Sequence, residues 1–326
     1  MIESRVKNFD IIDYPRDRLE VIFVDGASND GTPEIIDRLA AEGRDFIRVI
    51  RQPLRQGYNA AVCEGVCSAK ADFVVVGEVG GVFDEKAIRK VVRHLVHPSI
   101  GVVTGRPTPF NPDESLATKL EFAYRRSHDR QRYAESLIDS TPDMKGELVI
   151  FRKEIGMMLK PRETLPDNTG FDMVVSYVAR SLGLRAIFDP EAIVFEFVPR
   201  RMKERIIVQI RRGTTFCGTL WHFRNMMLSR KYGYFGLMIL PSHFLMLMVF
   251  PWVMVVSAVG LAIAAWYGKL LALAILGLFG AGLLPKASRY LLISFAVSQL
   301  VLCIVTLKLL RGRHSQMIDT VPSARG

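Results

Sequence analysis

The chain has 326 residues, enough for one large domain or two modest ones. A net charge of +10 with 49 % apolar residues raises nucleic acid or a membrane as partners, but no aromatic-plus-basic RNA-binding pattern is present, so nucleic acid is set aside. The four cysteines show neither metal-ligand nor disulfide spacing, and free, mostly buried thiols are expected.

Residues 19–39 organise the first half. Residues 19–24 are a short apolar, β-branched run, which reads as a buried parallel strand. Residues 25–31 are dense in turn formers. Thr32 is placed as an N-cap, Pro33 at the first helical position and Glu34 in the first turn. An acid at the carboxyl end of a parallel strand, here Asp25, points into the crevice where open α/β sheets bind ligands. The same residues would also make an ordinary strand-to-helix turn.

Further strands are expected at 46–51, 72–77, 100–104, 147–151, 184–188 and 192–198. Helices are expected at 57–69, 83–96, 115–137 and 172–182, the last with Gly183 after its end. The alternation of strand and helix predicts a mostly parallel sheet covered on both faces. Residues 202–229 are basic and amphipathic, suited to a membrane interface. Many cations (Arg200, Arg201, Lys203, Arg205, Arg211, Arg212) precede a strongly apolar region, as the positive-inside tendency predicts. Residues 234–266 are long enough to span a membrane, 290–307 form a further candidate, and 270–284 are shorter and contain glycine. Two or three spans are therefore expected. With no signal peptide before the soluble part, that part is placed in the cytoplasm.

The run VIFVDGASNDGT resembles the donor-nucleotide strand and turn of glycosyltransferase family 2, membrane-attached branch, and the similarity continues in blocks to about Cys217. The resemblance implies a Rossmann-like GT-A domain, with Asp25 contacting the nucleoside. It places Glu78-Val79-Gly80 where the family has an Asp-x-Asp motif holding Mg²⁺ or Mn²⁺ on the sugar diphosphate. Glu78 keeps a carboxylate and Gly80 removes the second; one or two carboxylates plus phosphates can hold such an ion. GELVIFRK, residues 146–153, resembles the family's acceptor-side block, with Gly146 beside the acceptor. Gly170-Phe171-Asp172 stands where the family has Glu-Asp, so Asp172 takes the general-base position and Phe171 replaces the first acid. Asp172 is equally suited to N-cap its helix. Gln209-Ile210-Arg211-Arg212-Gly213 resembles the Gln-x-x-Arg-Trp motif, which assigns Gln209, Arg211 and Arg212 to the donor diphosphate; the arginines would also suit lipid phosphates. The family's first strand, which precedes residue 19, has no counterpart here. Its two neighbours in the sheet are expected to be unpaired on that side.

The sequence is thus read as α/β with a GT-A catalytic domain (1–199), a basic interfacial segment (200–232), two or three transmembrane helices (233–310) and a polar tail (311–326). The expected function is inverting transfer of a sugar from a nucleotide-sugar donor to a lipid-linked or polysaccharide acceptor, at a prokaryotic plasma membrane. The alternative is an inactive relative that binds nucleotide or a partner protein there, motivated by Gly80, Phe171 and the missing strand.

Overall fold

The structure is a computed structural model that describes residues 2–311 except 42, 43, 162, 167 and 283. The tail from residue 312 lies outside the described residues. In chain order the first half comprises α1 (Ile2–Asp10), β1 (Val21–Asp25), α2 (Thr32–Ala41), β2 (Ile47–Arg51), α3 (Tyr58–Ser68), β3 (Phe73–Val76), β4 (Val82–Phe83), α4 (Ala87–Leu95) and β5 (Ile100–Pro109). Then come α5 (Leu116–Ile138), β6 (Val149–Arg152), α6 (Lys153–Met157), α7 (Phe171–Ser181), β7 (Arg185–Glu196) and α8 (Met202–His222). The apolar region holds α9 (Leu240–Phe244), α10 (Phe250–Trp266), α11 (Leu270–Gly282) and α12 (Lys286–Leu310).

The α/β class with apolar C-terminal helices is as the sequence suggests, but strand direction departs from the parallel expectation. β1 and β2 pair in parallel as a separate ribbon. The main sheet runs β3-β6-β5-β7-β4, and only its β5–β7 pair is parallel. Alternating helices and strands specify what covers a sheet, while direction depends on the connections. Here the loop 139–148 after α5 turns the chain so that β6 enters from the opposite end. β1 pairs only with β2, and β3 only with β6, among the described residues. The two free edges share one core, in which Val21 and Phe23 pack with Phe73 and Val75.

Residues expected as two strands at 184–188 and 192–198 form the single β7. Its register with β5 shifts between Phe188 and Ile193, around Asp189-Pro190. A bulge there tolerates the missing proline N–H, so the strand continues through it.

β6 shows how the sheet separates two cores. Leu148 and Ile150 face α1, α2 and α4, where Val6, Ile36, Val91 and Leu95 are buried. Val149 and Phe151 face α3, α6 and α7, where Val66, Ile155, Val174 and Val178 are buried. This is the alternation a strand covered on both faces requires. Cys63, Cys217 and Cys303 are buried and Cys67 is exposed, all as free thiols.

Two segments are long and apolar enough to cross a membrane: Phe235–Trp266, of 32 residues, and Ser288–Leu310, of 23. The 13 residues of α11 extend about 20 Å, short of a hydrocarbon core of about 30 Å. π-helical turns at Phe235–Ile239 and Leu245–Val249 precede Pro241 and Pro251, whose missing N–H groups break the regular ladder.

α8 packs against α12 and α5. Gly213 faces α12, and a Cβ there would lie 3.0 Å from Val305. A tryptophan in that position would drive the helices apart, which accounts for glycine at the end of the Gln-x-x-Arg motif. Gly218 is tighter still: its Cβ would lie 2.3 Å from the Asn168 carbonyl oxygen. Gly218→Ala is expected to destabilise the chain by about 1–3 kcal/mol, read as a lower melting temperature of the detergent-solubilised protein.

Candidate active site

Three residues separated in sequence meet around Gly146. The position a Cβ would take there lies 3.4 Å from Tyr58 Oη, 3.5 Å from Asp172 Oδ2 and 3.6 Å from Glu78 Oε1. Glu78 follows β3 and opens a tight turn, in which the Gly81 amide donates to the Glu78 carbonyl at 3.1 Å. Gly80 lies inside that turn, so the second acid of an Asp-x-Asp pair has no equivalent. Arg5 of α1 secures the turn from below, donating to the Gly81 carbonyl at 2.8 Å and lying over the Phe83 ring. A side chain at Gly77 would strike Arg5 at 2.4 Å. Sequence reasoning missed Arg5. Its signal was an arginine spaced three and four residues from Ile2 and Phe9, on the apolar face of a short helix.

Asp172 is the second residue of α7, whose N-cap is Gly170 without a side-chain cap bond. The N-cap reading of Asp172 is therefore corrected: the cap lies two residues earlier, at Gly170, and Phe171 enters the helix fully buried against Phe151. That burial also explains an apolar residue in place of the first acid. A side chain at Gly170 would meet Asp172 Oδ1 at 2.6 Å and Thr215 of α8 at 2.9 Å, so the glycine lets the carboxylate fold back toward α8.

The electrostatics are dominated by carboxylates. Burial and then Glu147 raise Asp172 to about 6. Burial, with Glu147 and Glu196 nearby, also raises Glu78. Burial would raise Glu147 too, but Arg212, Arg125 and Lys145 hold it well below the usual carboxylate range. Arg212 Nη2 lies 3.0 Å from Glu147 Oε1, Nη1 lies 3.3 Å from Glu121 Oε1, and Glu196 is 3.9 Å away. Arg125 joins Glu121 at 3.2 Å and Glu196 at 2.6 Å. Arg205 meets Glu121 at 3.2 Å and donates to Ser294 Oγ of α12 at 3.2 Å. The network thus ties the α12 helix to the site.

The two adjacent arginines differ. Arg212 is engaged by three carboxylates. Arg211 makes no side-chain hydrogen bond or ion pair among the described residues, and it lies in the field of Glu78, Glu147 and Glu196. Gln209 is buried on the α8 stripe that carries Arg205 and Arg212, and neither amide atom has a hydrogen-bond partner among the described residues.

Asp25 stands apart. It is buried at the end of β1, where its carboxylate accepts from the Ser28 amide at 3.3 Å and shapes the turn. Ala27 in that turn has φ +56°. Left-handed backbone at a non-glycine residue is a strain found where ligands are gripped. No hydrogen bond or ion pair joins Asp25 to the Gly146 cluster among the described residues. Nor does any group of three or more His, Cys, Asp or Glu side chains there form a metal site.

Residues 4–156 match the model of Glycosyl transferase family 2. The chain carries a glycosyltransferase family 2 domain. A mannosyltransferase from Pyrobaculum calidifontis, solved with GDP-Man and Mn²⁺, superposes with a TM-score of 0.78 at 27 % identity, over 96 % of this chain and 84 % of that one. The family 2 domain accordingly has the GT-A fold. An N-acetylglucosaminyltransferase of Rhizobium sp. (strain N33) is 26 % identical over 64 % of this chain and 48 % of its own length. A β-monoglucosyldiacylglycerol synthase of Synechocystis sp. is 31 % identical over 33 % of this chain and 23 % of its own. The chain spans about half the length, or less, of these curated relatives.

Proposed function

We propose that the chain is an inverting, membrane-bound glycosyltransferase. It would move a sugar from a nucleotide-sugar donor to a lipid-linked or polysaccharide acceptor. The observation that carries this reading is the convergence of Glu78, Asp172 and Tyr58 on the space over Gly146, with Arg211 close by and without an ion pair among the described residues. Asp172 is the general base. A carboxyl raised to about 6 is ionised at neutral pH yet more basic than an ordinary aspartate. It takes the proton of the acceptor hydroxyl as that oxygen bonds to the anomeric carbon. The anomeric carbon–oxygen bond to the diphosphate breaks, and the nucleoside diphosphate leaves with the electron pair. Arg211 and Gln209 bind the departing phosphates, and Asp25 holds the nucleoside. Arg212 keeps the neighbouring carboxylates paired, and Gly146 leaves room on the acceptor side.

The residues fit a divalent cation at Glu78. The Glu78 carboxyl is exposed, so a cation can reach it, and is raised by desolvation and then by Glu147 and Glu196; ions of this kind need only one or two carboxylates when phosphates supply other ligands. When bound, Mg²⁺ or Mn²⁺ would neutralise charge on the leaving diphosphate. Two spans, Phe235–Trp266 and Ser288–Leu310, return the chain to its starting side, so Arg200, Arg201 and Lys203 before them and Lys308 and Arg311 at their end share the cytoplasmic face. The catalytic domain is 1–199, the interfacial segment 200–232 and the membrane region 233–310.

The test uses the full chain in detergent with a membrane lipid extract. GDP-mannose and UDP-N-acetylglucosamine are offered in turn, with Mn²⁺ or with EDTA. Release of nucleoside diphosphate from one donor, abolished by EDTA, is the expected result. Release from neither would leave a nucleotide- or partner-binding role.

A further inference from the structure

Tyr58 is the member of the Gly146 cluster to which neither the motifs nor the proposed chemistry gives a role. It is the first residue of α3, entered through Gly57 at φ +92°. Its hydroxyl is buried and has no hydrogen-bond partner among the described residues. A buried hydroxyl left unpaired is costly, so one that persists calls for a partner that arrives later. Burial and the nearby Glu78, Asp172 and Glu147 push its ionisation far above the ordinary range, so it stays a neutral donor.

Gly146 supplies the second observation. The fold requires glycine at Gly105 and Gly218, where a Cβ would lie 2.5 Å and 2.3 Å from backbone oxygens. At Gly146 the nearest atoms stand at 3.4–3.6 Å and the backbone is not left-handed, so alanine fits the protein alone. What a methyl group would fill is a space bounded by one neutral donor and two carboxylate oxygens. That set matches a hydroxyl group, which accepts one hydrogen bond and donates another.

We propose that Tyr58 and Gly146 form a hydroxyl-reading pocket. The Tyr58 hydroxyl donates to a substrate hydroxyl lodged over Gly146, whose own proton points to Asp172 Oδ2. This rests on the transferase reading. The hydroxyl belongs to the acceptor or to the donor sugar, and kinetics separate the two.

The test compares wild-type full chain with Tyr58→Phe and Gly146→Ala, using whichever of the two donors above the wild type consumes. Tyr58→Phe deletes only a hydroxyl that has no partner among the described residues, so its melting temperature should equal or exceed that of the wild type. Its kcat/KM should fall about tenfold or more. A rise in acceptor KM assigns the hydroxyl to the acceptor, and a rise in donor KM assigns it to the donor sugar. Gly146→Ala should melt near the wild-type temperature and lose most transfer. An active wild type whose Tyr58→Phe variant keeps full kcat/KM overturns the pocket and leaves the transferase reading standing. Activity losses that merely track losses of stability also overturn it. A wild type that consumes neither donor overturns the transferase reading, and the pocket with it.

Discussion

Asp172→Asn should lower transfer by about 10²–10⁴-fold while making the protein more stable at pH 8. The first effect is the usual worth of a positioned proton acceptor. The second follows from the environment of the carboxyl. Burial and Glu147 raise it from 3.8 to about 6, so the folded chain favours its neutral form. A group whose folded value is raised contributes stability that is complete below its unfolded value and is lost as pH rises through the folded one. For Asp172 that window runs from about pH 4 to pH 6, and at pH 8 the fold carries the full burden of the charge. Asparagine removes the charge, so the variant's melting temperature should exceed that of the wild type at pH 8 and approach it at pH 4. The pH profile gives an independent check. Wild-type kcat/KM should fall tenfold per unit below about pH 6, as Asp172 takes up its proton. Stability and activity would then move in opposite directions, as in sites that hold a group in an unfavourable state for use. One result would remove the base role: an Asp172→Asn chain that retains activity on a polyprenyl phosphate. That acceptor is already ionised and needs no proton acceptor.

Much of the fold was legible because local signals govern it. β1, β2 and β3 are short β-branched runs between turn residues, and Ser115 with Thr118 forms a capping box at the start of α5. What was not legible depends on pairing between distant segments. Strand direction in the main sheet is set by the loop 139–148, which carries no directional pattern of its own. β7 reads as two strands because Pro190 interrupts the apolar run, and only the pairing with β5 shows the bulge that absorbs it. At the site, the motif blocks named Glu78, Gly146 and Asp172 singly. Their meeting with Tyr58 joins positions on four different segments, which no spacing along the chain encodes. The buried acids around Arg212 were missed for the same reason: Glu121, Glu147 and Glu196 lie on α5, beside β6 and at the end of β7. A helix with arginines at consecutive positions looks uniformly basic until those partners are placed.

That placement leads to opposite expectations for two neighbouring residues. Arg212→Ala should destabilise the chain by about 1–3 kcal/mol, less than breaking a fully buried ion pair because the Arg212 side chain is itself 38 % exposed while its acids are buried. The Glu121 side chain is 4 % exposed and that of Glu147 is 7 % exposed. Glu121 retains Arg125 and Arg205, and Glu196 retains Arg125. Glu147 would lose its only ion pair among the described residues, directly beside Gly146. The loss should therefore be greatest at high pH, where Glu147 is charged, and should shrink in acid as it takes up a proton. Arg211→Ala removes a guanidinium that no side chain among the described residues engages, and relief of repulsion from Arg212 favours the variant. Its melting temperature should stay within a few degrees of the wild type. Its binding of nucleoside diphosphate should weaken about tenfold or more, the worth of a charge-assisted hydrogen bond to phosphate. Melting curves and calorimetry with GDP and UDP on both variants decide the matter. If Arg212→Ala kept its stability and Arg211→Ala kept its affinity, the division of labour between the two arginines would be wrong.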